Sequence, residues 1–107
     1  DESTALFSHL PHLVAAMLVD AADGSEGWEV ASTGFRDTTR LASSNPPMRR
    51  DIVLDNREPL LSAIERFETQ LKHFKEALGS SDGPRILELF ERARDVRDRW
   101  MNRPSGG

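Results

Sequence analysis

The chain has no cysteine, which excludes a disulfide framework and any thiolate metal site and fits a reducing compartment, so a cytoplasmic location is expected. Long hydrophobic runs are missing too. The longest, Leu13 to Val19, is closed by Asp20 and falls well short of the ~20 apolar residues that span a bilayer; neither a secretory leader nor a membrane partner is expected. The glycines at 24, 27, 34, 79 and 83 do not have the Gly-x-Gly-x-x-Gly spacing, and no strand pattern precedes them, so a dinucleotide site is not expected in these residues. A Gly-x-Ser-x-Gly elbow is also absent, which leaves no nucleophile motif. Basic charge is not in excess: 14 Lys and Arg face 18 Asp and Glu, a net charge of -4, which argues against a nucleic-acid surface while allowing a local basic pocket.

What is present reads as helix. With 107 residues, 37% of them apolar and 30% charged, the chain is one domain by length. Its helices should each carry one dry stripe, and a second subunit would cover what a monomer leaves open. The first residue is Asp1 rather than methionine and no cap is apparent before the first helix, so the chain reads as part of a longer protein. From about Ser3 to Ala22, Leu6, Leu10, Leu13 or Val14, and Met17 recur at helical spacing, with Ala15, Ala16 and Leu18 widening the apolar face; this is expected to be a buried central helix. Pro11 sits inside it and should open or kink the turn between His9 and His12. Two imidazoles beside freed carbonyls make a polar notch, or simply polar flanks on a buried helix. As an i, i+3 pair they reach one ion, but His73 is far along the chain and nothing nearby completes a metal site.

Asp23-Gly24-Ser25-Glu26-Gly27 is turn chemistry, and a short helical segment from Trp28 to about Thr33 should end at Gly34 as its cap. Trp28 is an anchor for a core or for an interface. Asn45-Pro46-Pro47 breaks the chain before a short helix from Met48 to Asn56. From Pro59 to Leu78 the residues Leu60, Ile64, Phe67, Leu71, Phe74 and Leu78 alternate steps of four and three, a heptad seam suited to one long partner helix. Gly79 to Pro84 is a stop, a turn and a new start. Ile86, Leu89 or Phe90, Ala93, Val96 and Trp100 then repeat along a last helix that should return antiparallel, closing a helical hairpin. The expected architecture is all-α: a buried central helix, short helices in the middle and a long C-terminal hairpin, with residues 1–103 as the domain and 104–107 as a fraying tail.

The densest polar cluster is Gly34-Phe35-Arg36-Asp37-Thr38-Thr39-Arg40. Arg36 and Arg40 share a helix face, and Asp37, three residues before Arg40, is placed to hold its fork still. That combination makes a carboxylate receptor; the same residues also read as an ordinary surface helix capped by Thr33.

These motifs together, Ser8-His9-Leu10-Pro11-His12, Gly34 to Pro46, Met48-Arg49-Arg50-Asp51-Ile52 and Asn56-Arg57, resemble the carboxy-terminal domain of prephenate dehydrogenases and their arogenate-using relatives, in the family's order from Asp1 to about Trp100. The resemblance implies an all-helical domain that dimerises and supplies part of the substrate pocket, in an oxidoreductase of tyrosine biosynthesis. A separate Rossmann domain would carry NAD or NADP and the catalytic histidine, so no catalytic, cofactor or metal residue is expected here. In the intact enzyme hydride would pass to the nicotinamide, carbon dioxide would leave and the ring would become aromatic. By motif position His12 and Arg40 are expected at the substrate, prephenate or arogenate, with Asp37 as the orienter of Arg40, Gly34 and Thr39 along the wall, and His9 nearby. A homodimer is expected, tyrosine is a candidate inhibitor, and nucleic acid is not a partner. Where many members have Met-Trp-Arg-Asp-Ile, this chain has an arginine at 49. Facing the substrate, Arg49 would shift preference between prephenate and its amino counterpart or alter tyrosine inhibition; facing solvent it would do neither. The competing reading is a helical homodimerisation module without a substrate site.

Overall fold

Pro11 sets the path of the first helix. A proline inside a helix has no N–H to give and crowds the carbonyl one turn back, and the computed structural model, which describes residues 1–26, 28–30 and 33–104, shows how the ladder responds. Helix α1, Glu2–Ala22, begins as α-helix and widens to a π-helix over Ala5–His9. There the Leu10 amide reaches back to the Ala5 carbonyl, and the chain returns to α over Leu10–Ala22 with Pro11 in its first turn. From the sequence the opened turn is expected between His9 and His12. It lies immediately before, around Phe7, whose carbonyl the ring would otherwise meet. Asp1 supplies the cap that the sequence did not reveal, its carboxylate accepting from the Thr4 amide at 2.8 Å.

Only Ala5 and Ala15 of α1 are buried, while Phe7 is 81% exposed and Met17 55%. The burial expected of a central helix is therefore made along one stripe within this chain. Length and composition alone would allow α1 to cross a bilayer, a property that the run Leu13 to Val19 taken by itself conceals; its Leu6, Leu10 and Leu13 are instead packed against a core.

A 3-10 turn follows at Trp28–Val30, then α2 (Thr33–Thr39), a second 3-10 turn at Arg40–Ala42, α3 (Pro46–Asp55), α4 (Arg57–Gly79) and α5 (Gly83–Met101). Among the described residues every regular element is helical, as the patterning implies. The expected segment from Trp28 to Thr33 is seen as helix only over Trp28–Val30; residues 31 and 32 lie outside those described, as do Gly27 of the turn before it and 105–107 of the expected tail. Gly34 is not the stop of that segment but the second residue of α2. Trp28 packs edge-on against Phe35, ring centroids 6.0 Å apart. Asn45-Pro46-Pro47, expected to break the chain, starts α3 instead: the Asn45 side chain accepts from the Met48 amide at 3.0 Å. The two prolines fill first-turn positions where no N–H is needed.

The chain divides into two compact units, Asp1–Arg66 and Phe67–Gly107. In the first, Ala5, Leu60 and Ala63 form the buried centre, with Leu6, Leu10, Leu13, Val53 and Ile64 packed on it. Alanines at 5 and 63 let α1 and α4 approach closely, and burying Leu60 contributes about 1.5–3 kcal/mol. Asn56, between α3 and α4, ties this corner together. Its Nδ2 donates to the Asp1 carbonyl at 3.0 Å and its Oδ1 accepts from the Asp1 nitrogen at 2.9 Å.

In the second unit, α4 ends in a Schellman turn. The Asp82 amide reaches the Ala77 carbonyl at 2.9 Å, the Ser81 amide reaches Leu78 at 3.1 Å, and Ser81 takes the left-handed conformation at φ 52°. Asp82 then caps α5 by accepting from the Arg85 amide at 3.0 Å. Phe74 meets Phe90 edge-on, centroids 5.5 Å apart, and Ala77 is buried. The heptad seam meets α5 at Phe74, but Phe67, Leu71 and Leu78 remain 40%, 58% and 60% exposed.

Candidate functional site

Two helical stripes and one turn line an open cavity of about 340 Å³ within the first unit. His12, Leu13, Ala16 and Met17 follow one another on a single face of α1. Pro46, Arg49, Arg50 and Val53 do the same on α3, at the three- and four-residue steps that bring side chains into line. Leu41 and Ala42 from the second 3-10 turn, with Ser44, complete the wall. Most of this lining is apolar, so the few polar groups set what it can hold.

His12 is half-buried, and its Nδ1 lies 3.0 Å from the Ser8 carbonyl. A carbonyl only accepts, so Nδ1 carries the proton and Nε2 is left as the free ring nitrogen. His9 has the opposite arrangement: its Nδ1 receives the Asn56 amide at 3.3 Å, which puts the proton on Nε2. His9 is thereby held to the α3–α4 corner and is not part of the cavity wall.

The two cavity arginines differ in their company. Arg50 Nε donates to Asp51 at 2.9 Å in a largely exposed pair, so its charge is matched. Arg49 is half-buried, and its Nε is buried without a hydrogen-bond partner. An unsatisfied buried donor costs about 1–3 kcal/mol, more when it is charged.

Arg40 heads the second 3-10 turn directly before the wall residues Leu41 and Ala42, but is itself exposed and outside the lining. Asp37 is also exposed, and among the described residues the two form no ion pair. Thr39 spends its hydroxyl hydrogen on the Phe35 carbonyl at 2.7 Å, and Gly34 is exposed on α2. Of the six expected substrate residues, the structure thus sets His12 in the cavity, Arg40 beside its wall, and Asp37, Gly34, Thr39 and His9 elsewhere. Sequence reasoning missed Arg50 and Ser44 as wall residues; the spacing 49, 50, 53 within the expected helix from Met48 was the signal for Arg50, and no pattern marked Ser44. Among the described residues no three His, Cys, Asp or Glu side chains gather as metal ligands.

Residues 1–92 match the family described as prephenate dehydrogenase, dimerization domain. The chain is 35% identical over 111 residues to the prephenate dehydrogenase of Bacillus subtilis (strain 168), covering 99% of this chain and 30% of that protein. It is 36% identical over 103 residues to the cyclohexadienyl dehydrogenase of Zymomonas mobilis, covering 91% and 35%. Among solved structures, Synechocystis arogenate dehydrogenase superposes with a TM-score of 0.86 at 28% identity, over 94% of this chain and 38% of that one. Prephenate dehydrogenase from A. aeolicus, in complex with hydroxyphenyl propionate and NAD+, does so with 0.84 at 36% identity, over 92% and 36%. The chain spans about a third of the length of the proteins it matches.

Proposed function

We propose, for a chain that belongs to the prephenate dehydrogenase dimerization-domain family, that it works as the carboxy-terminal part of an NAD(P)-dependent prephenate or arogenate dehydrogenase, forming the dimer and binding the substrate's carboxylates. The observation that carries this is the small, mostly apolar cavity lined both by the half-buried His12 imidazole and by Arg49, whose buried Nε has no partner. A cyclic acid fits such a wall: its ring against Leu13, Met17 and Val53, its charge toward the arginines.

In this reading the dinucleotide is held by a part of the longer protein outside this chain. This chain's part in oxidative decarboxylation is to bind, orient and exclude water. Fixed positive charge contributes through position without moving a proton. In this reading Arg40 takes a carboxylate at the cavity edge and His12 faces the ring, with Asp37, Gly34, Thr39 and His9 as supporting positions that the longer protein brings into play. The same reading places the enzyme in the cytoplasm and makes tyrosine a competing ligand.

Arg40→Ala in the full-length protein tests it. The Michaelis constant should rise about 10- to 100-fold, the loss of a charge-assisted pair, while the dimer is retained. Unchanged kinetics would favour the second reading, a helical dimerisation module without a substrate site, which draws its support from the exposed apolar row on α4.

A further inference from the structure

We infer that Arg49 is a second carboxylate contact inside the cavity, and that it biases this protein toward the doubly anionic keto acid over its amino counterpart. The inference rests on the dehydrogenase reading above. Three observations converge on this side chain. It shares the cavity with His12, across from the α1 stripe. Its Nε is buried with no partner, whereas its neighbour Arg50 is paired with Asp51. It also sits in the opening turns of α3, an end that carries no acidic residue in its first turn and whose dipole disfavours a cation. Helix stability does not explain a guanidinium there; an anion brought into the cavity does.

The substrate class carries two carboxylates, one on the ring and one on the side chain. With Arg40 assigned to one of them at the cavity edge, the second needs its own cation, and Arg49 is the unmatched one on the wall. Half-buried apolar neighbours such as Leu41 and Val53 lower the local polarity and strengthen that pairing. The keto acid offers Arg49 a side-chain carboxylate alone. The amino counterpart places an ammonium beside the same carboxylate, and its repulsion of the guanidinium offsets much of the attraction.

The experiment measures kcat/KM for prephenate and arogenate with the full-length enzyme, its Arg49→Gln and Arg49→Lys variants, and Arg40→Ala alongside. Arg49→Gln should lower kcat/KM for prephenate about 10- to 100-fold, mostly through KM, and for arogenate by less than about 3-fold. Arg49→Lys should restore part of the loss, since it keeps the charge without the fork. Melting temperature and dimer elution of each variant establish that the fold is intact, and Arg49→Lys carries the measurement if the glutamine variant is unstable. An equal loss on both substrates, or none on either, overturns the inference about Arg49 while an impaired Arg40→Ala leaves the dehydrogenase reading standing. A wild-type enzyme inactive on both substrates overturns that reading itself.

Discussion

The two units of the chain use their apolar residues in opposite ways. In Asp1–Arg66 the buried centre includes Leu60 as well as Ala5 and Ala63, so large and small side chains interlock and a cavity is left where α1, the second 3-10 turn and α3 meet. In Phe67–Gly107 the buried hydrophobic residue among those described is an alanine, Ala77, whereas Leu71, Leu78 and Leu87 are 58–60% exposed. A two-helix unit has only one mutual face, and here it is taken by Phe74 and Phe90. Everything large on the remaining faces waits for something outside the chain. Heptad spacing marks such a face but does not name its partner. The family is described as a dimerization domain, and in the function proposed above a two-fold mate, the commonest way to cover such a face, would lie on it.

The strongest way to break this contrast is to charge the exposed row. Leu71→Glu in the full-length protein should convert a dimer to monomer at micromolar concentration, weakening association by about 2 kcal/mol or more if Leu71 lies at the centre of the interface, as read by sedimentation or light scattering. A dimer of undiminished stability would put the interface on another face. Leu60→Ala attacks the other unit. Leu60 is 6% exposed, so the truncation should cost about 2–4 kcal/mol in denaturant unfolding, with the dimer retained wherever the protein is still folded. A cost below about 1 kcal/mol would mean that the site can collapse and that the first unit is less tightly packed than its burial implies.

Helices with strong ends are legible in the sequence. The run Gly79 to Pro84 signals the start of α5, Pro59 lies in the first turn of α4, and Pro11 announces an opened turn. Ends that depend on a single ambiguous residue are not. Asn45-Pro46-Pro47 serves equally as a break or as a cap with two first-turn prolines, and only the Asn45 bond to Met48 decides. Gly34 likewise suits a stop or a helix start. For the site, the sequence pointed to charge at 36–40 and to the histidines, yet which face each residue occupies depends on how α1 is rotated by its π-turn and on where α3 begins. That is why His12 and Arg49 line the cavity while His9, three residues from His12, is turned toward Asn56.

The smallest expected effect lies at the α4–α5 link, and it separates two glycine assignments. The sequence suggests Gly79 as the stop of α4, which would give it the left-handed conformation that glycine tolerates best. In the structure Gly79 is the last helical residue, with open space where a Cβ would stand, and Ser81 carries φ 52°. A non-glycine residue in that region costs about 1–2 kcal/mol, partly offset because glycine loses more freedom on folding. Ser81→Gly should therefore stabilise the protein by about 0.5–1 kcal/mol. Gly79→Ala should do so by a similar amount, through helix propensity and a less flexible unfolded chain. Both are read as an increased denaturant midpoint at constant slope. If Gly79→Ala destabilised instead, the left-handed residue would be Gly79, the Schellman bonds from Ser81 and Asp82 would have to shift, and α5 would leave α4 at a different angle from the one that brings Phe90 to Phe74.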